Sequence, residues 1–241
     1  MSNRYGPRIV TDGLVLCLDA ADNNSYPGTG TTWTDLSGNG NNGTLNNGPT
    51  FSSANKGYIS FDGTNDYMQA NINTAVLDGD PSFTVEMLVR RRTGTNIGAN
   101  AGFWGIGGTG QGNSIEGWTP TANLIHLDTY DSTRLATSTN YPEGSFINLI
   151  WTKNGAGMET TNVKCFLNGI ELALTKTRNA TRTNQLNTST NGVGICLGRI
   201  VANENNFHTP VDIALFKIYS RALSTSEVLQ NYNATKGRFN L

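Results

Sequence analysis

The side chains best suited to nucleophilic or metal chemistry are few in this chain. There are two histidines, His126 and His208, far apart in the sequence, and three cysteines, Cys17, Cys165 and Cys196, each inside an apolar run. No Cys-x-x-Cys pair, His-Glu-x-x-His motif or Gly-x-Ser-x-Gly elbow occurs. We therefore expect buried, reduced thiols and histidines on a sheet face or in loops, rather than a nucleophile or a metal-ligand cluster.

The overall composition argues against nucleic acid and membrane partners. Only 15% of the 241 residues are charged, the formal net charge is −1, and the isoelectric point is near 6.1. Such a balance gives no basic stripe to attract phosphates or an anionic bilayer. No apolar run approaches the length of about 18 residues that a membrane span needs. The opening MSNRYGPRIV lacks the apolar core of a signal peptide, so we expect a protein made in a cytoplasm.

Short apolar or alternating segments recur between turn residues and predict β-strands. Gly, Asn and Thr, which suit turns and exposed strand faces, are abundant. Regularly spaced short strands without intervening helices are typical of an antiparallel sandwich or barrel. The predicted strands lie at 14–20, 58–63, 83–91, 124–130, 146–153, 163–174, 194–200 and 211–220.

The connections of this predicted sheet structure can be read in part. Asn168-Gly169 in CFLNGIEL matches a two-residue type I′ hairpin turn, because both central residues of that turn need φ above zero. Three stretches rich in Gly, Asn and Thr, 21–57, 92–123 and 175–193, show no strand pattern, and we expect long loops there.

The chain is predicted to close with one short helix. Ser224 and Glu227 have the spacing of a capping box, in which each side chain bonds the backbone of the other residue. Leu223 and Val228 stand at the two positions of a hydrophobic staple. A helix this short is marginal alone, so we expect it to pack on an edge or end of the sandwich. Its predicted apolar stripe consists of Val228, Leu229 and Tyr232.

Five sequence blocks, in this order and spacing, point to a known superfamily. They read IVTDGLVLCLDAADNNSYPGTGTTWTDLSGNGNNGTL, YISFDGTNDYM, FTVEMLV, FLNGIEL and VDIALFKIYSRALSTSEVLQNYNA. Together they resemble the laminin-G-like branch of the concanavalin A-like lectin/glucanase superfamily, and the first block is similar to the version found in structural proteins of tailed bacteriophages. The resemblance covers about residues 8–70 and 145–239. It implies an all-β, two-sheet antiparallel jelly-roll sandwich with a short C-terminal helix, formed by residues 11–241 behind an N-terminal arm of residues 1–10.

The carboxylates lack the spacing that this resemblance would require of a glycosidase. Glycosidases of the superfamily carry carboxylates two and four residues apart on one strand face, where acid and nucleophile flank a glycosidic bond. No glutamate here has Asp or Glu two positions later, and Glu86 is expected on the solvent side of its strand beside Arg90. We therefore predict no enzymatic activity and no catalytic residues. The glutamates are Glu86, Glu116, Glu143, Glu159, Glu171, Glu204 and Glu227.

The resemblance also raises the possibility of a calcium cofactor. Laminin-G-like and lectin relatives hold Ca²⁺ with loop Asp, Asn and backbone carbonyl oxygens. The candidate ligands here are Asp35, Asp62, Asp66 and Asp212. Their alternative roles are Asx-type turns for Asp35 and Asp62 and solvation of a strand end for Asp212.

A carbohydrate site would need exposed aromatic rings among polar amides. The segment at about 92–140, which matches the superfamily poorly, offers Trp104, Trp118, His126 and Tyr130 as candidate ligand-binding residues. Core packing is the alternative for Trp104 and Trp118, since β-sandwiches bury such side chains. Trp33 and Trp151 are expected in the core.

Function is predicted from the phage-like opening block, together with the lack of a glycosidase carboxylate pattern and of a signal peptide. We expect a non-enzymatic virion protein of a tailed phage, a lectin-like domain displayed on the particle that decorates the capsid and contacts capsid or other virion proteins. The alternative is a carbohydrate-binding adhesin, on a tail or a host surface, that recognises cell-surface glycans. Arg4, Tyr5 and Arg8 could dock the arm on such a partner, or the arm could be a frayed terminus. The oligomeric state stays open.

Overall fold

The structure is a computed structural model. It describes residues 8–72, 78–93, 101–108, 114–119, 124–129, 133–140, 142–179, 192–200, 207–239 and 241. The described residues form seventeen β-strands in two antiparallel sheets and one α-helix near the C-terminus. This confirms the predicted all-β sandwich with its terminal helix.

The eight-stranded sheet contains the longest strands. β1 pairs with one half of β17 and β5 with the other half, so both lie along the same edge of β17. From edge to edge the strands are β14 (Ile170–Leu172), β13 (Val163–Leu167), β12 (Ile147–Lys153), β7 (Phe83–Arg91), β17 (Pro210–Tyr219), β5 (Tyr58–Asp62) and β4 (Thr50–Ser52), with β1 (Leu14–Asp19) beside β5.

The nine-stranded sheet contains the remaining strands. Its order from edge to edge is β15 (Leu174–Asn179), β11 (Thr133–Asn140), β10 (Leu124–Thr129), β9 (Ser114–Thr119), β8 (Ala101–Gly108), β16 (Gly192–Leu197), β6 (Tyr67–Ala70), β3 (Gly43–Asn46) and β2 (Thr32–Trp33).

The main core lies between the two sheets. Side chains alternate along each strand, so that Val85 and Met87 of β7 enter the core while Glu86 faces away from it. Trp33 and Trp151 belong to this core, as predicted. The three cysteines are buried and free, also as predicted.

Helix α1 (Thr225–Thr235) packs on the outer face of the eight-stranded sheet. The capping box of Ser224 and Glu227 is present, which confirms the predicted start of the helix. Leu223 and Val228 join the same apolar cluster. The predicted stripe is wrong in part: Leu229 is 41% exposed, and the buried face of the helix is Val228, Asn231 and Thr235. Asn231 has polar partners on the sheet, Glu86 and Tyr219, whereas the Thr235 hydroxyl donates to the Asn231 carbonyl within the helix.

The hairpin turn is confirmed, but the predicted loops are wrong in part. Asn168 and Gly169 have φ of 51° and 79° and connect β13 to β14. The stretches expected as loops contain the six strands β2, β3, β4, β8, β9 and β15. In β8 and β9, large side chains pack against the glycine backbone. At Gly117 of β9, for example, an added Cβ would collide with the indole of Trp104.

The chain entering β1 is also part of the packed body. Val10, predicted to belong to a free arm, is buried under α1, and its N–H donates to Oδ1 of Asn231 at 2.8 Å. Within the described residues, no helix combines the length and apolar character needed to cross a bilayer.

Candidate functional site

A polar groove of about 220 Å³ lies on the outer face of the nine-stranded sheet. Strands β3 and β6 pair with Thr44 opposite Gln69 and with Leu45 opposite Met68. Leu45 and Met68 are buried in the core, so strand alternation turns Thr44 and Gln69 outward. The groove is lined by Gly40, Asn42, Thr44, Asn46, Gln69 and Asn71.

The groove offers hydrogen-bonding groups without net charge. Amide side chains supply both donors and acceptors, and a hydroxyl supplies one donor and two acceptor positions. Several amides are already oriented by local bonds. Oδ1 of Asn42 accepts from the Asp35 N–H at 2.9 Å, Nδ2 of Asn46 donates to the Thr44 carbonyl at 2.9 Å, and Nε2 of Gln69 donates to Oδ1 of Asn71 at 3.4 Å. Such a surface suits a neutral, hydroxyl-rich ligand.

On another part of the same sheet, strand register brings together two carboxylates that are distant in the sequence. On the outer face, Glu116 of β9 stands directly opposite Asp128 of β10. Opposed side chains of an antiparallel pair have Cβ atoms about 4.5–5.5 Å apart. The glycosidase motif places its carboxylates along one strand, whereas these two are neighbours only through strand pairing. No signal in the sequence marks that register.

Each of these carboxylates has a structural partner. Nη2 of Arg134 lies 2.9 Å from Oδ2 of Asp128, and the Ser114 hydroxyl donates to Oε1 of Glu116 at 3.0 Å. Glu116 and Asp128 are 2% and 3% exposed. In this arrangement solvent hardly reaches the two carboxylates.

The predicted aromatic ligand site does not form an exposed platform at Trp104. That side chain is completely buried, and its ring packs 6.3 Å from the ring of Phe216. Its prediction as a ligand-binding residue is corrected: it belongs to the core because Gly117 leaves room for the indole. The backbone of Trp118 pairs with that of His126, but the Trp118 side chain and all of Tyr130 lie outside the described residues.

His126 is buried on the outer side of β10. Burial, assisted by the charge of Arg134, lowers the pKa of its imidazole to about 4. The ring is therefore neutral at physiological pH. It is 5% exposed, which leaves little surface for contact with a ligand.

Two of the four predicted calcium ligands stabilise turns. Oδ1 of Asp35 accepts from the backbone N–H groups of Cys17 at 2.9 Å and Ser37 at 2.8 Å, which fastens a loop to β1. Oδ1 of Asp62 accepts from the Thr64 N–H at 2.7 Å. Both observations fit the Asx-type turns that were the alternative to metal binding.

The other two predicted ligands also have protein partners. Oδ2 of Asp66 accepts from the Asp62 N–H at 3.0 Å. Asp212 is completely buried and forms an ion pair with Nη2 of Arg90 at 2.7 Å. In the part of the chain that the structure describes, no group of three or more His, Cys, Asp or Glu side chains could hold a metal ion. Each of the four aspartates therefore has a protein partner in the described part of the chain.

The predicted docking residues are only partly described. Arg4 and Tyr5 lie outside the described residues. Arg8 is exposed, and its carbonyl accepts from Nε2 of Gln230 on α1 at 2.7 Å. The described start of the chain therefore runs along the terminal helix.

Comparison with known proteins shows the fold alone. No protein-family model matches the chain, and no curated protein matches it. The binding domain of Paraclostridial Mosquitocidal Protein 1 is similar in structure, with a TM-score of 0.68 and 17% identity over 93% of this chain and 52% of that one. The Botulinum Neurotoxin Type G receptor binding domain is similar with a TM-score of 0.62 and 16% identity, over 92% of this chain and 51% of that one. Trypanosoma rangeli sialidase in complex with the inhibitor DANA is similar with a TM-score of 0.65 and 14% identity, over 96% of this chain and 34% of that one.

These likenesses agree with the two-sheet, jelly-roll type of β-sandwich that the strand order shows. The chain spans about half the length of the two toxin structures and about a third of the sialidase. A shared fold does not carry a shared activity, because sites differ among proteins that have the same sandwich.

Proposed function

We propose that this chain is a non-enzymatic, lectin-like recognition domain that binds carbohydrate in the groove between β3 and β6. The observation that carries the proposal is the lining of that groove, whose side chains are amides and a hydroxyl without a charged group. Sugars present many neutral hydroxyls, and neutral donors and acceptors match them without the desolvation cost of a charge.

The similar structures support a recognition role. Two of them are a binding domain and a receptor binding domain by name, and a third is a sialidase that holds an inhibitor. The proposal that the chain is not an enzyme is supported by its carboxylates: Glu116 and Asp128 are buried and bonded to protein partners.

Binding to a panel of immobilised glycans, with purified protein, tests this function. We expect at least one glycan to bind wild-type protein and to lose most of its signal with Asn46→Ala and with Gln69→Ala. Asn140→Ala is the matched control, since this exposed amide lies on β11, on the same sheet but far from the groove. Equal binding by all four proteins, or binding by none, would overturn the groove as a carbohydrate site. Release of sugar from any glycan in the panel would overturn the non-enzymatic part.

The second candidate concerns where the domain works. We infer that it is displayed on a tailed-phage virion and decorates the capsid, because its opening block is similar to blocks found in phage structural proteins. In this proposal the protein is made in the host cytoplasm and the capsid is its protein partner. A glycan-binding groove on the exposed side is compatible with this location.

Immunogold electron microscopy of purified particles, with antibody to this chain, tests the location. Label spread over the shell is the expected result. Label confined to the tail would replace capsid decoration by the adhesin alternative. Particles without label would overturn the virion location and leave the glycan assay to decide the recognition role.

A further inference from the structure

An amine, a carboxylate and an amide meet under helix α1. Glu86 and Asn231 are completely buried, and Lys217 is 1% exposed. Nζ of Lys217 lies 3.2 Å from Oε2 of Glu86, and Nδ2 of Asn231 donates to the same oxygen at 2.7 Å. Glu86 and Lys217 stand opposite each other on β7 and β17, while Asn231 reaches down from the helix. The three groups therefore share one buried oxygen.

An apolar cluster lies beside these groups. It consists of Ile150, Phe166, Leu223 and Val228, on this face of the sheet between the strands and the helix. Lys217 and Glu86 are in direct contact, so a proton can pass from Nζ to Oε2. The amine that results is a nucleophile.

The Asn231 amide is held in place by hydrogen bonds at both its oxygen and its nitrogen. Its Oδ1 accepts from the Val10 backbone N–H at 2.8 Å, and its Nδ2 donates to the Tyr219 hydroxyl at 2.9 Å as well as to Glu86. A backbone N–H aimed at a carbonyl oxygen stabilises the negative charge that develops there during acyl transfer. The leaving nitrogen, Nδ2 of Asn231, contacts Glu86, which is the acid that would protonate it.

We propose that Lys217 and Asn231 become joined by an intramolecular amide bond, with Glu86 as the proton carrier. Glu86 accepts a proton from the Lys217 ammonium, and the free amine adds to Cγ of Asn231. The bond from Cγ to Nδ2 then breaks as Glu86 delivers the proton to Nδ2. The second proton lost by Nζ leaves on the same nitrogen. The products are a secondary amide, an ammonium ion and the Glu86 carboxylate, with no oxidation or reduction.

Such a bond fastens the terminal helix to the sheet. Proximity in a rigid, buried site accelerates the step because the reacting groups are already oriented. The helix has few apolar contacts of its own, since two of its three buried residues are polar. A covalent link explains how so short a helix stays on the sheet of a displayed domain. This inference is independent of the glycan proposal.

Mass spectrometry of the purified full-length protein tests the bond. We expect the intact wild-type chain to be lighter than its sequence mass by one ammonia. Trypsin should then leave peptides 200–221 and 222–236 joined as one branched product, uncut after Lys217. An intact mass equal to the sequence mass, with the two peptides separate, would overturn the proposal.

Three variants separate the proposed residues from their neighbours. Glu86→Gln keeps the shape of the side chain but cannot carry the proton, and Asn231→Ala removes the acceptor; we expect neither to lose ammonia. Asn148 also donates to Glu86, through Nδ2 to Oε1 at 3.0 Å, so Asn148→Ala is the matched control and should lose ammonia as wild type does. Loss of ammonia in Asn231→Ala, or a branch between Lys217 and peptide 135–153, would overturn Asn231 as the acceptor.

Discussion

The outer faces of the two sheets follow the same rule of strand alternation but differ in what covers them. On the eight-stranded sheet, α1 converts the outward row of Glu86 and Lys217 into a second interior. On the nine-stranded sheet, the outward row of Thr44 and Gln69 lines a groove open to solvent. A covered polar group must have a protein partner, whereas an open one can bond water or a ligand. The covered row therefore contributes stability, and the open row lines the groove for which we propose glycan binding.

The largest expected effect is on the covered face. In the structure, Lys217 and Glu86 form a buried ion pair, and Glu86→Ala leaves the Lys217 ammonium without its carboxylate. Removing one partner of a buried ion pair costs about 3–5 kcal/mol. Urea unfolding monitored by tryptophan fluorescence measures the free energy of unfolding.

Glu171→Ala is the control for this substitution. The Lys164–Glu171 pair joins the same kinds of groups at 3.0 Å, but each side chain is 47% exposed. Exposed pairs contribute about 0–1 kcal/mol. Equal losses of stability in the two variants would contradict the contrast between covered and exposed charges.

The next largest effect is expected at the N-terminus of helix α1, which covers the eight-stranded sheet. Oγ of Ser224 accepts from the Glu227 N–H, and the loss of such a cap costs about 1 kcal/mol. We expect Ser224→Ala to lower the free energy of unfolding by that amount. Ser53 precedes a short 3-10 turn without a side-chain cap bond, so Ser53→Ala should change stability by less than about 0.5 kcal/mol. A neutral Ser224→Ala would show that the cap does not hold the helix.

The same cap should make stability depend on pH. A hydrogen bond from Arg221, followed by bonds to Ser224, lowers the pKa of Glu227 from 4.5 to about 2. A carboxyl whose pKa is lower in the folded state stabilises above its unfolded pKa, and that contribution is lost as pH falls through the folded value. The stability difference between wild type and Glu227→Gln should thus be full above pH 4.5 and shrink towards pH 2. Urea unfolding across that range measures it, and a difference that stays constant would contradict the assignment.

The smallest expected effect is on the open face. Gln69→Ala should change the free energy of unfolding by no more than about 0.5 kcal/mol, because surface substitutions away from core and caps have small effects. The same urea titration measures it. A loss comparable to that of Glu86→Ala would mean that the groove is a structural element, and would erase the distinction between the two faces.

Much of the fold follows from local patterns. The alternation of Phe83, Val85, Met87 and Val89 predicts β7 with its bounds, Asn168-Gly169 predicts a hairpin, and Ser224 with Glu227 predicts the helix start. Strands β3, β8 and β9 escaped prediction because their residues become strands through pairing. In β8 and β9, glycine backbone packs against Trp104 and Ile200, which no local pattern records.

The candidate sites were less predictable than the fold. Trp104 was considered for a ligand platform and lies in the core, while the aspartates considered for calcium bond to backbone or to arginine. Glu86 was expected at the solvent side and lies in the most buried polar cluster. The alternation of β7 correctly predicts that Glu86 faces away from the sandwich core. That outer face is not exposed to solvent at Glu86, because helix α1 covers it.

The sequence by itself determined the two-sheet sandwich class, strands of clear alternation such as β7, where one hairpin turns and where the helix begins. These are set by alternation, by φ preferences and by hydrogen bonds between residues close in the chain. Only the tertiary structure decided which outward row is covered and which stays open. It also brought together Lys217, Glu86 and Asn231, and placed Glu116 opposite Asp128. Those pairings depend on strand register and on where the helix packs, since the free energy of burying a charge or an amide is set by neighbours distant in sequence.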